Sequence, residues 1–281
     1  MNDQGQHRIS QTYLKQFGFQ DINNKWWIST WKIGEEFTSY QSIKKFSKEL
    51  NIFDLPSKNI KTRRAFEDFS GTLETHYPLI IKEIKLNGQL SQKALAILAQ
   101  FKINLLCRTV RFRDLIDHLL KSEKRDFFLK EITYYHQDKG KQLIESLKKI
   151  RIEYQLNLVI FSVWYYFVNT LTSSNFDYVI LKDFDNRGWA TTDNPVIIKN
   201  NINESTLFSK ETEIYFPISK DYCIYIDHRD YNRSNSLRGA NNAELAEADD
   251  TIHDKIMDLI GRNASKYVIN PADLGRYKLS K

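Results

Sequence analysis

The sequence is poor in the residues that build metal and redox centres. Of its 281 residues only two are cysteine, Cys107 and Cys223, and six are histidine. So few, so scattered, they give no zinc-type ligand spacing. Both cysteines sit in apolar strings, ALAILAQFKINLLC and DYCIYI. They read as buried free thiols of a reducing compartment. The nearest approach to a metal motif is Glu74 with His76, and these point to different helix faces. There is also no run of about 20 apolar residues that would cross a membrane. The most apolar stretch, Leu156 to Leu171, is shorter and is interrupted by Asn157, Ser162 and Asn169. It reads as a buried central helix. The polar opening MNDQGQHR carries no secretory signal, so the expected location is cytoplasmic, with no membrane partner. P-loop and GxGxxG strings are absent, and Ser219 lacks a nucleophile-elbow context. Asp183, Asp185 and Asn186 mimic part of a calcium loop, without its glycine and terminal glutamate.

What is present is enough for a substantial core. Hydrophobic residues make up 41%, aromatics 13% and charged residues 27%, in the range of globular chains. The net charge is +6 and the pI is near 9.0. This mild basicity permits an anionic partner, nucleic acid or nucleotide, without requiring one. Many of the lysines fall on helix surfaces, where solvation alone explains them.

Apolar spacing sets out the elements. Lys25–Lys32, rich in tryptophan and β-branched residues, predicts a strand after the turn-prone Asp21–Asn24. Phe66, Phe69, Leu73, Tyr77 and Ile81 predict a helix from Arg63 to about Leu86, with Pro78 kinking or breaking it. Asn87-Gly88 marks a turn, and Ser91 is a good N-cap for a long helix running through Leu120. Further helices fit Lys124–Tyr135 and Lys139–Thr172. The pattern then changes to short strands at Phe176–Asp183, Pro195–Lys199, Glu213–Pro217 and Tyr222–Asp227. Asn201–Glu204 and Arg229–Asn235 read as loops, and Asn242–Lys266 as a helix. The expected fold class is α+β: a central long-helix bundle with a small, mainly antiparallel sheet formed by the C-terminal strands and an N-terminal strand. One domain over 1–281 is expected. The alternative is a division near 173, helical over 40–172 and strand-rich over 173–281.

Two short strings put polar groups beside apolar anchors. The first is His7, Gln11, Tyr13, Leu14 and Phe17. The second is Trp189 followed by Thr191-Thr192-Asp193-Asn194-Pro195-Val196. The first resembles the opening of a bacterial family, domain of unknown function 4238. Lys25–Lys32 resembles the tryptophan strand that follows there, Leu73-Glu74 its aliphatic-glutamate pair, and Arg108-Thr109 its arginine-threonine pair. Thr191–Val196 resembles its Asp-Asn-Pro motif and Phe216-Pro217-Ile218-Ser219 its Phe-Pro-Leu-Ser motif. Motif order is kept along nearly the whole chain. The chain departs from the pattern at Ser10, where the family has proline, and near Met257, where an asparagine is expected. The resemblance implies an association with bacterial defence against phage, and no stated chemistry.

Each candidate has two readings. His7 is either a general acid or base, with a pKa near neutrality, or an exposed or helix-capping histidine. Arg108 with Glu74 either fixes a helix interface or clamps a phosphate, Glu74 then orienting it, acting as base or holding a metal. Asp193 and Asn194 either shape an Asx-turn before Pro195, or place the Asp193 carboxylate beside His7 and Asn194 against a ligand. Gln11 and Tyr13 either bond a ligand or, for Tyr13, fill the core with a satisfied hydroxyl. Arg111 and Arg113 offer phosphate contacts or solvated charge. The functional expectation is an antiviral effector cleaving phosphodiesters, with His7, Asp193, Glu74 and Arg108 catalytic and a divalent metal left open. The alternative is a non-enzymatic sensor of a phage protein or small ligand.

Overall fold

Helix boundaries follow caps that the sequence supplies. The computed structural model describes residues 3–134, 138–150, 152–172, 175–183, 185–199, 211–230 and 242–269. Its helices are α1 (Gln11–Leu14), α2 (Ile60–Arg63), α3 (Ala65–Asn87), α4 (Gln92–Arg108), α5 (Val110–Lys121), α6 (Arg125–Ile132), α7 (Asp138–Lys148), α8 (Ile152–Leu171) and α9 (Asp250–Asn263). The Ser91 hydroxyl accepts from the Ala94 N–H and starts α4. Gly88 ends α3 at φ 64°, a left-handed conformation in which glycine carries no Cβ penalty. Pro78 does not break α3, which continues through it. By contrast, the single helix expected from Ser91 to Leu120 is split. Thr109 is extended, with ψ 149°, and its hydroxyl donates to the Leu106 carbonyl at 2.9 Å. The helix expected over 242–266 is likewise shortened, because its first turns are a strand.

The strands are β1 (Gly5–His7), β2 (Phe19–Gln20), β3 (Trp26–Lys32), β4 (Thr38–Ser42), β5 (Lys48–Leu50), β6 (Phe176–Asp183), β7 (Thr191–Thr192), β8 (Ile197–Lys199), β9 (Glu213–Pro217), β10 (Tyr222–His228), β11 (Leu245–Ala248) and β12 (Tyr267–Ile269). The α+β class stands, but the expected single small sheet beside a central bundle is overturned. The described residues form nine helices and three sheets, of two, five and five strands. β1 pairs with β5. A second sheet runs β11-β6-β10-β9-β8, antiparallel except for the β11–β6 pair. The third runs β2-β3-β12-β7, with β4 also on β3. The tryptophan strand β3 therefore does meet C-terminal strands, but in a sheet separate from β6, β9 and β10. The reason for the error is physical. Strands of two or three residues carry no readable alternation, and only their partners hold them extended.

Alternation along β6 explains how the layers stack. Tyr178 and Ile180 join the larger core, with Phe66, Tyr77, Leu98 and Phe101 of α3 and α4. Val179 and Leu181 point the other way and pack with Ile252, Ile256 and Ile260 of α9. The second sheet thus lies between the long helices and α9. The larger core draws residues from Ile9 to Ile269, from both sides of residue 173. Cys107 and Cys223 are both buried and free. No helix among the described residues is long and apolar enough to cross a membrane. The expected loop Asn201–Glu204, and all of Arg229–Asn235 beyond residue 230, lie outside the described residues.

Candidate functional site

Arg108, the last residue of α4, is the hub of the site. Its side chain is 1% exposed. A guanidinium so placed must find anionic or carbonyl partners. It meets Glu67 at 3.2 Å and Glu74 at 3.3 Å, both on α3, and donates to the His7 carbonyl. The two glutamates are seven residues apart and so share one face of α3. Phe53 closes the arginine from another side, its ring centroid 4.9 Å from the guanidinium carbon. Arg8 completes the surround by donating to the Arg108 carbonyl at 3.4 Å and pairing with Glu49.

The His7 imidazole stands at the mouth of this cluster. β1 holds it, pairing His7 with Lys48 of β5. The Nε2 atom lies 3.0 Å from the Lys44 carbonyl, which can only accept, so Nε2 carries the proton. The Gln11 amide nitrogen lies against the ring, 3.3 Å from Nε2 and 3.5 Å from Nδ1. Partial burial is the main influence lowering the His7 pKa, helped by the charges of Arg108 and Lys48. The Lys44 hydrogen bond and Glu74 oppose it. Burial likewise raises the Glu67 carboxyl, against the pull of Arg108. A neutral imidazole can accept a proton, and a carboxyl that ionises reluctantly can hold one to give.

The sequence-derived candidates therefore divide. His7, Gln11, Glu74 and Arg108 come together. Asp193 goes elsewhere: its carboxylate accepts from the backbone N–H groups of Ser265, at 2.9 Å, Lys266 and Tyr267. Its own N–H donates to the Tyr267 carbonyl at 3.1 Å. It closes the junction between α9 and β12, and no hydrogen bond joins it to His7 among the described residues. Tyr13 is fully buried, and its hydroxyl donates to the Pro217 carbonyl at 2.7 Å. Thr191 then donates to Tyr13, the oxygens 2.6 Å apart. Asn194 lines a separate cleft with Arg111 and Asn263. Arg113 is buried, over Phe53, and donates to Asn157. Glu67 was missed by sequence reading, although its two-turn spacing from Glu74 is a signal. Asn263 was missed too. Among the described residues, no group of three or more His, Cys, Asp or Glu is placed to hold a metal. Glu74 is thus not part of a ready metal site.

The comparison with protein families covers the cluster and nearly everything around it. A family model described as a protein of unknown function, DUF4238, matches residues 5–271. The chain belongs to the DUF4238 family. The match takes in every residue of the Arg108 hub and the Asp193 junction, so both lie within the DUF4238 region. No curated protein and no solved structure matches the chain.

Proposed function

We propose that this chain hydrolyses phosphodiesters in nucleic acid or nucleotides, in the antiviral role that the family resemblance suggested. One observation carries the reading: two half-buried carboxyl groups, Glu67 and Glu74, hold one fully buried arginine, and the half-buried His7 imidazole lies within range of the charges of Arg108 and Glu74. In the proposed reaction His7 takes a proton from water as the water oxygen attacks phosphorus. Glu67, whose raised pKa favours the protonated form, gives its own proton to the leaving oxygen as the P–O bond breaks, and the carboxylate left behind is held by Arg108. Arg108 is a positioning residue here, since its guanidinium is already held by protein acceptors. Asp193 has no part. The exposed Lys44, Lys45 and Lys48 beside the site supply the positive field that an anionic strand needs.

The test is purified protein on labelled RNA and DNA, with and without magnesium or manganese. Cleavage is expected to fall about 10²- to 10⁴-fold in His7→Ala and Glu67→Gln. Absence of cleavage by the wild type, or equal cleavage by both variants, removes the mechanism. For the antiviral role, cells expressing the wild type should plate phage less efficiently than cells expressing His7→Ala.

A further inference from the structure

The third sheet carries aromatic rings on its outer face, at the end formed by β2, β3 and β4. Side chains alternate along β3. Ile28 and Thr30 are buried on one face, and Trp27, Ser29 and Trp31 point to the other. Trp31 packs into the α9 core, so the outer face is closed at that end. At the other end Phe19 of β2 lies opposite Trp27, and Tyr40 of β4 lies opposite Ser29, which puts both rings on the outer face. They meet edge to face at 5.5 Å across β3, where Ser29 is too small to part them. Phe19 is 46% exposed and Tyr40 69%, so a flat ligand reaches both from solvent. The Trp27 indole N–H donates to Asp21 at 3.0 Å, which fixes that ring beside them.

The charge around these rings suits a polyanion. Residues 15–48 hold six lysines and three acids. Of the acids, Asp21 is engaged by Trp27 and Glu35 by Lys32. Lys25 is exposed where β3 begins, and the exposed Lys44, Lys45 and Lys48 follow directly after β4. The same segment leads to His7. The Lys44 carbonyl accepts from the imidazole, and Lys48 of β5 pairs with His7 of β1. Four residues separate Tyr40 from Lys44, a span of at most about 14 Å. Rings and lysines together also choose between occupants. Protein interfaces are depleted in lysine, whereas single-strand sites set aromatic faces along a positive track.

We infer that this platform binds single-stranded nucleic acid, with a base stacked on each of Phe19 and Tyr40 and the phosphates running along Lys44, Lys45 and Lys48 toward His7. A duplex keeps its bases stacked on one another and offers no free face to these rings. The binding stands by itself. That the bound strand is the substrate of the His7 cluster rests on the hydrolytic reading proposed above.

Fluorescence anisotropy of short labelled RNA and DNA, single-stranded and duplex, tests it on the full chain, with His7→Ala run beside the wild type to exclude cleavage. Single strands should bind with Kd of about 1–100 μM at low salt, and duplexes roughly tenfold more weakly or worse. Phe19→Ala and Tyr40→Ala should each weaken single-strand binding roughly 5- to 100-fold, the loss of one stacked base. Tyr40→Phe, which keeps the ring, should bind as the wild type does. Both positions are exposed, so melting of the unligated protein should not change. Lys45→Gln should reduce the slope of log affinity against log salt by about 0.7, the share of one phosphate of a single strand. No single-strand binding, equal binding of duplex, or binding indifferent to both ring variants overturns the inference. So does a dimer in sedimentation that Tyr40→Ala disperses, because a second copy then covers the face. Binding without cleavage supports the platform and removes the hydrolytic reading. Cleavage with KM raised and kcat kept in Phe19→Ala supports both.

Discussion

His7 and Asp193 are both half-buried and titratable, yet their surroundings assign them different work. Burial lowers the His7 pKa below its ordinary 6.5. Between the folded and unfolded values the unfolded chain holds more protons, so stability falls as pH drops through that window. The contribution is complete above pH 6.5. Urea denaturation from pH 7.5 to 5.5 should therefore show a midpoint that declines less in His7→Ala than in the wild type. If His7 is the general base, kcat/KM falls over the same acidic limb. Asp193 behaves otherwise. Its carboxyl caps three backbone N–H groups where α9 hands over to β12. Asp193→Ala strands those donors and should cost about 1–3 kcal/mol. A calorimetric melt measures that loss, while cleavage by the folded fraction should match the wild type. Equal melting with lost cleavage would return Asp193 to the chemistry.

The Arg108 hub exists because α4 ends where it does. Were the helix to run on through Thr109, as apolar spacing suggested, α4 and α5 would share one axis, and Arg111 would stay with Arg108 instead of facing the Asn194 cleft. The Thr109 hydroxyl turning back on Leu106 is a local event that an apolar pattern does not encode. The elements the sequence did reveal are those whose signals are also local. Ser91 caps α4, and β6, β9 and β10 sit in central, closely packed positions where their β-rich runs match their burial. β7 and β12 were not legible, because β7 is held extended by its pairing with β12, and β12 by its pairing with β3 and β7. Within the site, the Glu74–Arg108 meeting was legible from charge and helix order, and Glu67 could have been found from its shared face. The placement of Asp193 could not, since it depends on β12. Arg108→Lys tests the hub at this level. Lysine keeps the charge but loses the planar fork that reaches Glu67, Glu74 and the His7 carbonyl together. A loss of about 1–3 kcal/mol in chemical denaturation is expected. An unchanged midpoint would mean that the fork contributes nothing to α3–α4 packing.

The two ends of the chain are stitched together by sheet and core. β3 near the N-terminus pairs with β12, and β12 pairs with β7, so one sheet closes over elements more than 150 residues apart. Tyr13 repeats the link within the core, its hydroxyl joining Thr191 of β7 to Pro217 of β9, with the Phe216 ring stacked on it at 5.6 Å. Tyr77 of α3 adds a bond to the Ile218 carbonyl. Remove the C-terminal portion and the inner faces of α1, α3 and α4 lose the strands that cover them. The exposed side chains would include Tyr13, Tyr77 and Phe101, each buried in the whole chain. Apolar burial scales at roughly 25 cal/mol per Å², so losing a whole sheet face outweighs the stability of a typical domain. A fragment of residues 1–172 should therefore keep helical circular dichroism, bind a hydrophobic dye and show no cooperative melt. In the full chain, far-ultraviolet dichroism and tryptophan fluorescence should report one common midpoint. A fragment that melts cooperatively, or two separated midpoints in the full chain, would place a domain boundary near residue 173 and leave the sheet and Tyr13 links as contacts between independent units.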